Sequence, residues 1–204
     1  MKNPTVGLIL SGGSGLRLGG VRKGDLRIGN IALKDTLAGA LAGQCLTLFY
    51  STGAARTLPP AGAIALPDDP DGITGPAAGL LAGALWCIDN APDALMATVS
   101  VDTPFYPTDF ISRATPLMGL ATGCVVAQYG ARDYPTIALW RPGPLSVDLK
   151  SIRPAPRGPR LRDIERRLGA VYIDYAETAP ENPFEGINTL SDLLSVSKRG
   201  RSSV

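Results

Sequence analysis

Residues 11–23 read Ser11-Gly12-Gly13-Ser14-Gly15-Leu16-Arg17-Leu18-Gly19-Gly20-Val21-Arg22-Lys23. A glycine-rich segment after an apolar run lets backbone N–H groups come close to phosphate oxygens. Arg17 and Lys23 offer countercharge for the same anion. Two better-known phosphate loops do not fit. A P-loop needs Gly-Lys-Ser/Thr, and no Gly-Lys pair occurs. A dinucleotide fingerprint wants an acid at the end of the second strand to hold the ribose. The candidate strand here ends in Phe49-Tyr50-Ser51-Thr52. A purely structural turn is the competing reading of the loop.

The acids come next. Asp102 follows the apolar run Val99-Ser100-Val101 and precedes Thr103-Pro104. An acid just past a buried strand lies at the carboxyl edge of an α/β sheet, where such folds bind ligands. Mg²⁺ needs only one or two carboxylates when substrate phosphates supply the remaining oxygens, so Asp102 is the metal candidate. The alternative is a turn aspartate before proline. Asp68-Asp69-Pro70-Asp71, then Gly75-Pro76-Ala77-Ala78-Gly79, suits a flat base lying against backbone, or else a surface Asx-turn.

Composition narrows the chemistry. The chain of 204 residues contains no histidine, which excludes imidazole bases, Ser-His-Asp triads and histidine-bound zinc. Cys45, Cys87 and Cys124 are far apart and read as buried thiols. The net charge of +2 conceals blocks. Lys2, Arg17, Arg22, Lys23, Arg27 and Lys34 precede a stretch, from Arg56 to Arg113, without Lys or Arg. Lys150, Arg153, Arg157, Arg160, Arg162, Arg166 and Arg167 then crowd together. The order basic, acidic, basic fits a metal site between two anion-binding regions, or ordinary solvated faces. Nothing accompanies the basic stretches that reads nucleic acid. No apolar run approaches the ~20 residues of a membrane span, and no signal peptide is read at the start. A cytoplasmic enzyme is expected.

These residues need a scaffold. Strands are expected at 5–10, 45–51, 62–66, 95–101, 123–128, 136–140 and 171–175. Helices are expected at 33–42, 76–88, 107–114, 161–168 and 190–196. Strands alternating with helices favour an α/β fold with a mostly parallel sheet. Residues 1–196 form one domain in this reading, and 197–204 a basic, disordered tail.

In order and spacing the motifs resemble the molybdenum cofactor guanylyltransferases, from Val6 to about Leu193. The shared features are Gly-Gly-x-x-x-Arg-x-Gly-x-x-x-Lys after the first strand, Asp-Thr-Pro after a central strand, Gly-Pro-x-Ala-Gly before a helix, and Pro135-Thr136-Ile137-Ala138-Leu139. The resemblance implies a Rossmann-like, three-layer nucleotidyltransferase fold. It implies transfer of GMP from GTP to molybdopterin with Mg²⁺ and release of pyrophosphate. A molybdoenzyme or its chaperone would be a further partner. By matched position, Leu10, Ser11, Gly12 and Gly13 would touch the nucleotide, with Gly79 facing it. Lys23 would hold phosphate, Asp69 the guanosine part and Asp102 the metal. Arg17, Lys23 and Asp102 would be catalytic, and Arg160 and Asn188 would lie on the pterin side. Three positions differ from the family pattern: Gly15 stands for a frequent Ser, Tyr50 for a frequent Asn, and Gly186-Ile187-Asn188 for Asn-x-Asn. A related enzyme using CTP or a sugar phosphate, and a non-catalytic nucleotide or cofactor binder, are the alternatives.

Overall fold

A computed structural model of the chain describes residues 3–11, 21–53, 57–68, 72–153 and 158–202. Its elements are β1 (Thr5–Leu10), β2 (Arg27–Ile28), β3 (Ile31–Ala32), α1 (Leu33–Leu41), β4 (Thr47–Gly53), β5 (Ile64–Pro67), α2 (Pro76–Asn90) and β6 (Leu95–Ser100). There follow α3 (Phe110–Ala114), β7 (Cys124–Tyr129), β8 (Arg132–Trp140), α4 (Pro142–Lys150), α5 (Leu161–Arg167), β9 (Val171–Asp174) and α6 (Leu190–Ser202).

The main sheet has the order β5-β4-β1-β6-β8-β7-β9. β8 runs antiparallel to both neighbours, and every other pairing in it is parallel. The run Thr5 to Leu10 is unbroken because β1 lies mid-sheet with every residue buried. A strand covered on both faces has no reason to alternate apolar with polar residues.

Side chains still alternate between the two faces. Ile9, Leu95, Ala97, Val99 and Val125 point to the side covered by α1 and α3, where Leu37, Leu41, Phe110 and Ala114 pack. Leu8, Leu10, Met96, Cys124 and Val126 point to the side covered by α2, α4 and α5, through Leu80, Cys87, Leu145 and Ile164. The fold is therefore three-layered α/β with a mostly parallel sheet, as expected.

Four features differ from the sequence expectations. β8 begins at Arg132, because Gly130 (φ 58°) closes a tight hairpin with β7. The register slips between Val126 and Ala127, so Ala127 faces Tyr134 and that ring is buried. Helix α4 was not expected: Pro142, Gly143 and Pro144 hide its start, yet proline fits a first helical turn. The small hairpin β2–β3 was not expected either, since two-residue strands carry no periodicity.

The expected disordered tail is corrected in part. Helix α6 continues to Ser202, well past residue 196. Arg199 explains the extension. Its Nε lies 2.7 Å from Glu181 Oε2, it donates to the Asn182 carbonyl at 2.9 Å, and its guanidinium covers the Phe105 ring. A basic residue with this many partners orders the helix rather than fraying it.

Candidate active site

Four strands of the sheet, in the order β5-β4-β1-β6, deliver a polar row at their carboxyl ends. Asp68 follows β5, Ser51 sits on β4, Ser11 follows β1, and Ser100 ends β6 with Asp102 two residues on. Parallel crossovers start each helix beyond this edge, which is why α/β sheets place ligand chemistry here. Ser11 Oγ donates to the Ser51 carbonyl at 2.5 Å. Ser51 Oγ in turn donates to Asp68 Oδ1 at 3.3 Å. Burial raises the Asp68 pKa, against the lowering effect of Ser51.

Asp102 is the centre of the site. Lys23 Nζ donates to its Oδ2 at 2.6 Å, and Ser100 Oγ to its Oδ1 at 2.5 Å. Both carboxylate oxygens are thereby oriented. Lys23 also donates to Asn188 Oδ1 at 2.7 Å. The side chains of Lys23 and Asp102 are 16% and 19% exposed, so the pair is shielded but reachable.

Each member has local support. Lys23 opens a 3-10 turn, Lys23–Asp25, and Asp25 is pinned to Lys34 of α1 at 2.7 Å. Asn188 is held by two contacts of its own segment. The Ile187 N–H donates to the Asp102 carbonyl at 3.0 Å, and the Asn188 N–H to Asp192 Oδ2 at 2.9 Å. Asp192 also accepts from the Thr189 N–H, while its own N–H donates to Thr189 Oγ1, a capping box at the start of α6. Those backbone donors hold the Asp192 carboxyl below its usual range.

Of the expected site residues, Lys23, Asp102 and Asn188 meet directly, and Ser11 lies on the neighbouring strand end. The Leu10 side chain is in the core, while its carbonyl accepts from the Val101 N–H at 2.9 Å. Gly12, Gly13, Arg17 and Asp69 lie outside the described residues. Gly79 makes its close approach to the sheet: a Cβ there would sit 2.7 Å from Ser51 Oγ and 3.1 Å from Leu10 Cδ2. That space is filled by protein, so Gly79 seats α2 on β1 and β4. Arg160 is exposed at the start of α5, outside the group formed by Lys23, Asp102 and Asn188.

Two arginines of the second basic block are committed elsewhere. Arg162 pairs with Asp133 at 2.8 Å, and Arg167 holds Asp148 through two nitrogens. Arg162 and Arg167 are thus held by carboxylates of the protein itself. Sequence reading also missed Ser100 and Asp192. The signal for Ser100 was a short hydroxyl two residues before an acid; for Asp192 it was Thr189 followed three residues later by an acid.

A glycine-rich segment, a lysine and one strand-end carboxylate on a mostly parallel sheet define a nucleotidyltransferase, and the comparisons agree. The profile of the MobA-like NTP transferase domain matches residues 7–171. A molybdenum cofactor guanylyltransferase of Mesorhizobium japonicum is 30% identical over 202 residues, covering 97% of each chain. One of Cereibacter sphaeroides is 36% identical over 188 residues, covering 92% of each. The crystal structure of molybdopterin-guanine dinucleotide biosynthesis protein A from Archaeoglobus fulgidus shares the fold, with a TM-score of 0.70, 16% identity, and coverage of 98% of this chain and 100% of that one. The chain belongs to the molybdenum cofactor guanylyltransferase family.

No helix among the described residues is long and apolar enough to cross a membrane.

Proposed function

We propose that this enzyme transfers GMP from GTP to molybdopterin in the cytoplasm, with Mg²⁺, releasing pyrophosphate. The observation that carries the reading is the Lys23–Asp102 pair beside Ser11 at the carboxyl edge of the sheet. An oxygen of the acceptor's phosphate attacks the α-phosphorus of GTP. The bond from that phosphorus to the bridging oxygen breaks, and pyrophosphate leaves with the electron pair. A phosphate monoester is already largely ionised at neutral pH, with a second pKa of about 6. No general base is required, which suits a chain without histidine.

Catalysis then rests on alignment and countercharge. Lys23 holds phosphate in this reading, as charge builds on the departing pyrophosphate. Arg17 adds a second cation. Asp102 is the residue that would hold Mg²⁺: one carboxylate plus phosphate oxygens is an ordinary ligand set for this hard ion. Among the described residues no cluster of three or more acids or cysteines competes for it. When bound, Mg²⁺ neutralises triphosphate charge. Ser11, Gly12 and Gly13 offer backbone groups to the guanine edge, with Asp69 on the guanosine part. A site built to pair a polar edge rejects a mismatched base, because its own donors go unpaired. Asn188 and Arg160 serve the pterin side.

The test is pyrophosphate release by the purified protein with Mg²⁺, GTP and molybdopterin. Release with GTP and not with CTP is expected. Equal turnover of the two would remove guanine selectivity, and binding without release would make the chain a binder.

A further inference from the structure

The site described above gives Tyr50 no task. It lies on β4, opposite Ile9 of β1, with its ring 1% exposed in the core beneath α1. Burial raises the pKa of its hydroxyl, and the neighbouring Ser11 side chain, which donates to the Ser51 carbonyl, lowers it in part.

The same hydroxyl has a second neighbour. Gly24 is buried in the turn that carries Lys23, and the nearest atom to a Cβ built there is Tyr50 Oη, at an overlapping distance. The next is Val101 Cγ2 at 3.3 Å, beside Asp102. Gly24 has an ordinary backbone, so close approach and not φ is what excludes a side chain. One buried oxygen thus fills the space over the Lys23 turn and lies beside Ser11, and these two bracket the glycine-rich segment in sequence.

We infer that Tyr50 is a positioning residue: its hydroxyl, wedged between Ser11 and Gly24, sets the spacing between the nucleotide-facing end of β1 and the phosphate lysine. The inference rests on the proposed nucleotide roles of Ser11 and Lys23. It makes Tyr50 and Gly24 a matched pair, one residue supplying the oxygen and the other the space for it.

The experiment is a cycle of Tyr50→Phe, Gly24→Ala and the double variant. GTP affinity is measured by titration calorimetry, kcat and KM by pyrophosphate release, and folding by circular dichroism melts. Tyr50→Phe removes the oxygen and keeps the ring. It should weaken GTP binding and raise KM roughly two- to tenfold, the scale of one polar contact, with little change in melting temperature. Gly24→Ala should lose more, because the new methyl meets the hydroxyl. Adding Tyr50→Phe to Gly24→Ala should restore part of the loss, a reversal of sign that independent sites do not give. Wild-type affinity and KM in Tyr50→Phe, or simple additivity in the double variant, would overturn the inference. So would an unfolded Tyr50→Phe, which would assign the hydroxyl to core stability. If the unsubstituted protein binds no GTP, the failure belongs to the proposed function instead.

Discussion

Lys23 Nζ lies 2.6 Å from Asp102 Oδ2 across 79 residues of sequence. The contact joins the turn after the glycine-rich segment to the end of β6. It places one cation and one anion side by side at the carboxyl edge of the sheet. Asp102→Ala should lower turnover on the order of 100- to 1000-fold, the scale for losing one electrostatic contact in a transition state. Its circular dichroism should match the wild type. Lys23→Ala should also weaken GTP binding, since lysine is a point charge for phosphate. Near-normal turnover in Asp102→Ala, assayed by pyrophosphate release, would remove the metal assignment.

Ser100 orients the same carboxylate from the other side, with a hydrogen bond of 2.5 Å to Oδ1. Ser100→Ala deletes that bond and little else. The expected result is a higher Mg²⁺ concentration for half-maximal rate with an unchanged fold. Mn²⁺ affinity read by electron paramagnetic resonance is an activity-free check. An unaltered metal dependence would show that Lys23 alone orients Asp102.

Gly79 and Gly83 let α2 lie flat on the sheet. A Cβ at Gly83 would come 2.7 Å from Met96 Sδ, a flexible end, whereas Gly79 faces the short Ser51 side chain. Gly79→Ala should destabilise the protein by about 1–3 kcal/mol through overpacking. Thermal melts would reveal a smaller loss for Gly83→Ala, because methionine can yield. Equal melting temperatures for Gly79→Ala and wild type would show that Ser51 moves aside without cost.

Glu165 on α5 is fully buried, and its Oε2 has no hydrogen-bond partner among the described residues. Its surroundings are Asp133 on β8, Tyr172 on β9, Cys124 on β7, and Arg162 and Arg166 on its own helix. Burial first, then the neighbouring Asp133 carboxylate, push its pKa up to about 8. Unfolded, a glutamate titrates near its ordinary value of about 4.3. Between those values the folded state holds the proton more tightly than the unfolded state does. Stability from this group therefore falls as pH rises from about 4.3 to about 8, and levels above that. Glu165→Gln keeps a donor and removes the titration. It should melt near the wild type at pH 5 and above it at pH 8. A variant that lost stability equally at both pH values would count against the protonated carboxyl.

Much of the scaffold was legible because its signals are local. The apolar run at β1 marks a strand buried on both faces, and proline before small residues marks the start of α2. The lack of histidine excluded whole classes of chemistry by counting alone. Asp102 was legible for the same reason: an acid directly after a buried run has only the sheet edge to occupy. What neighbouring residues do not encode was decided by tertiary structure. Lys23 reaches Asn188 across 165 residues only because α6 packs back over the small β2–β3 hairpin. Ser100 differs from other strand-end serines only because its hydroxyl turns back to Asp102. Arg162 and Arg167 read as free cations until the crossovers bring Asp133 and Asp148 beside them. The tail beyond residue 196 reads as loose charge until Glu181 and Asn182 meet Arg199. Propensity and periodicity act over a few residues and set the elements; partner choice among charged and polar groups depends on which elements the chain brings together, and that is known only once they pack.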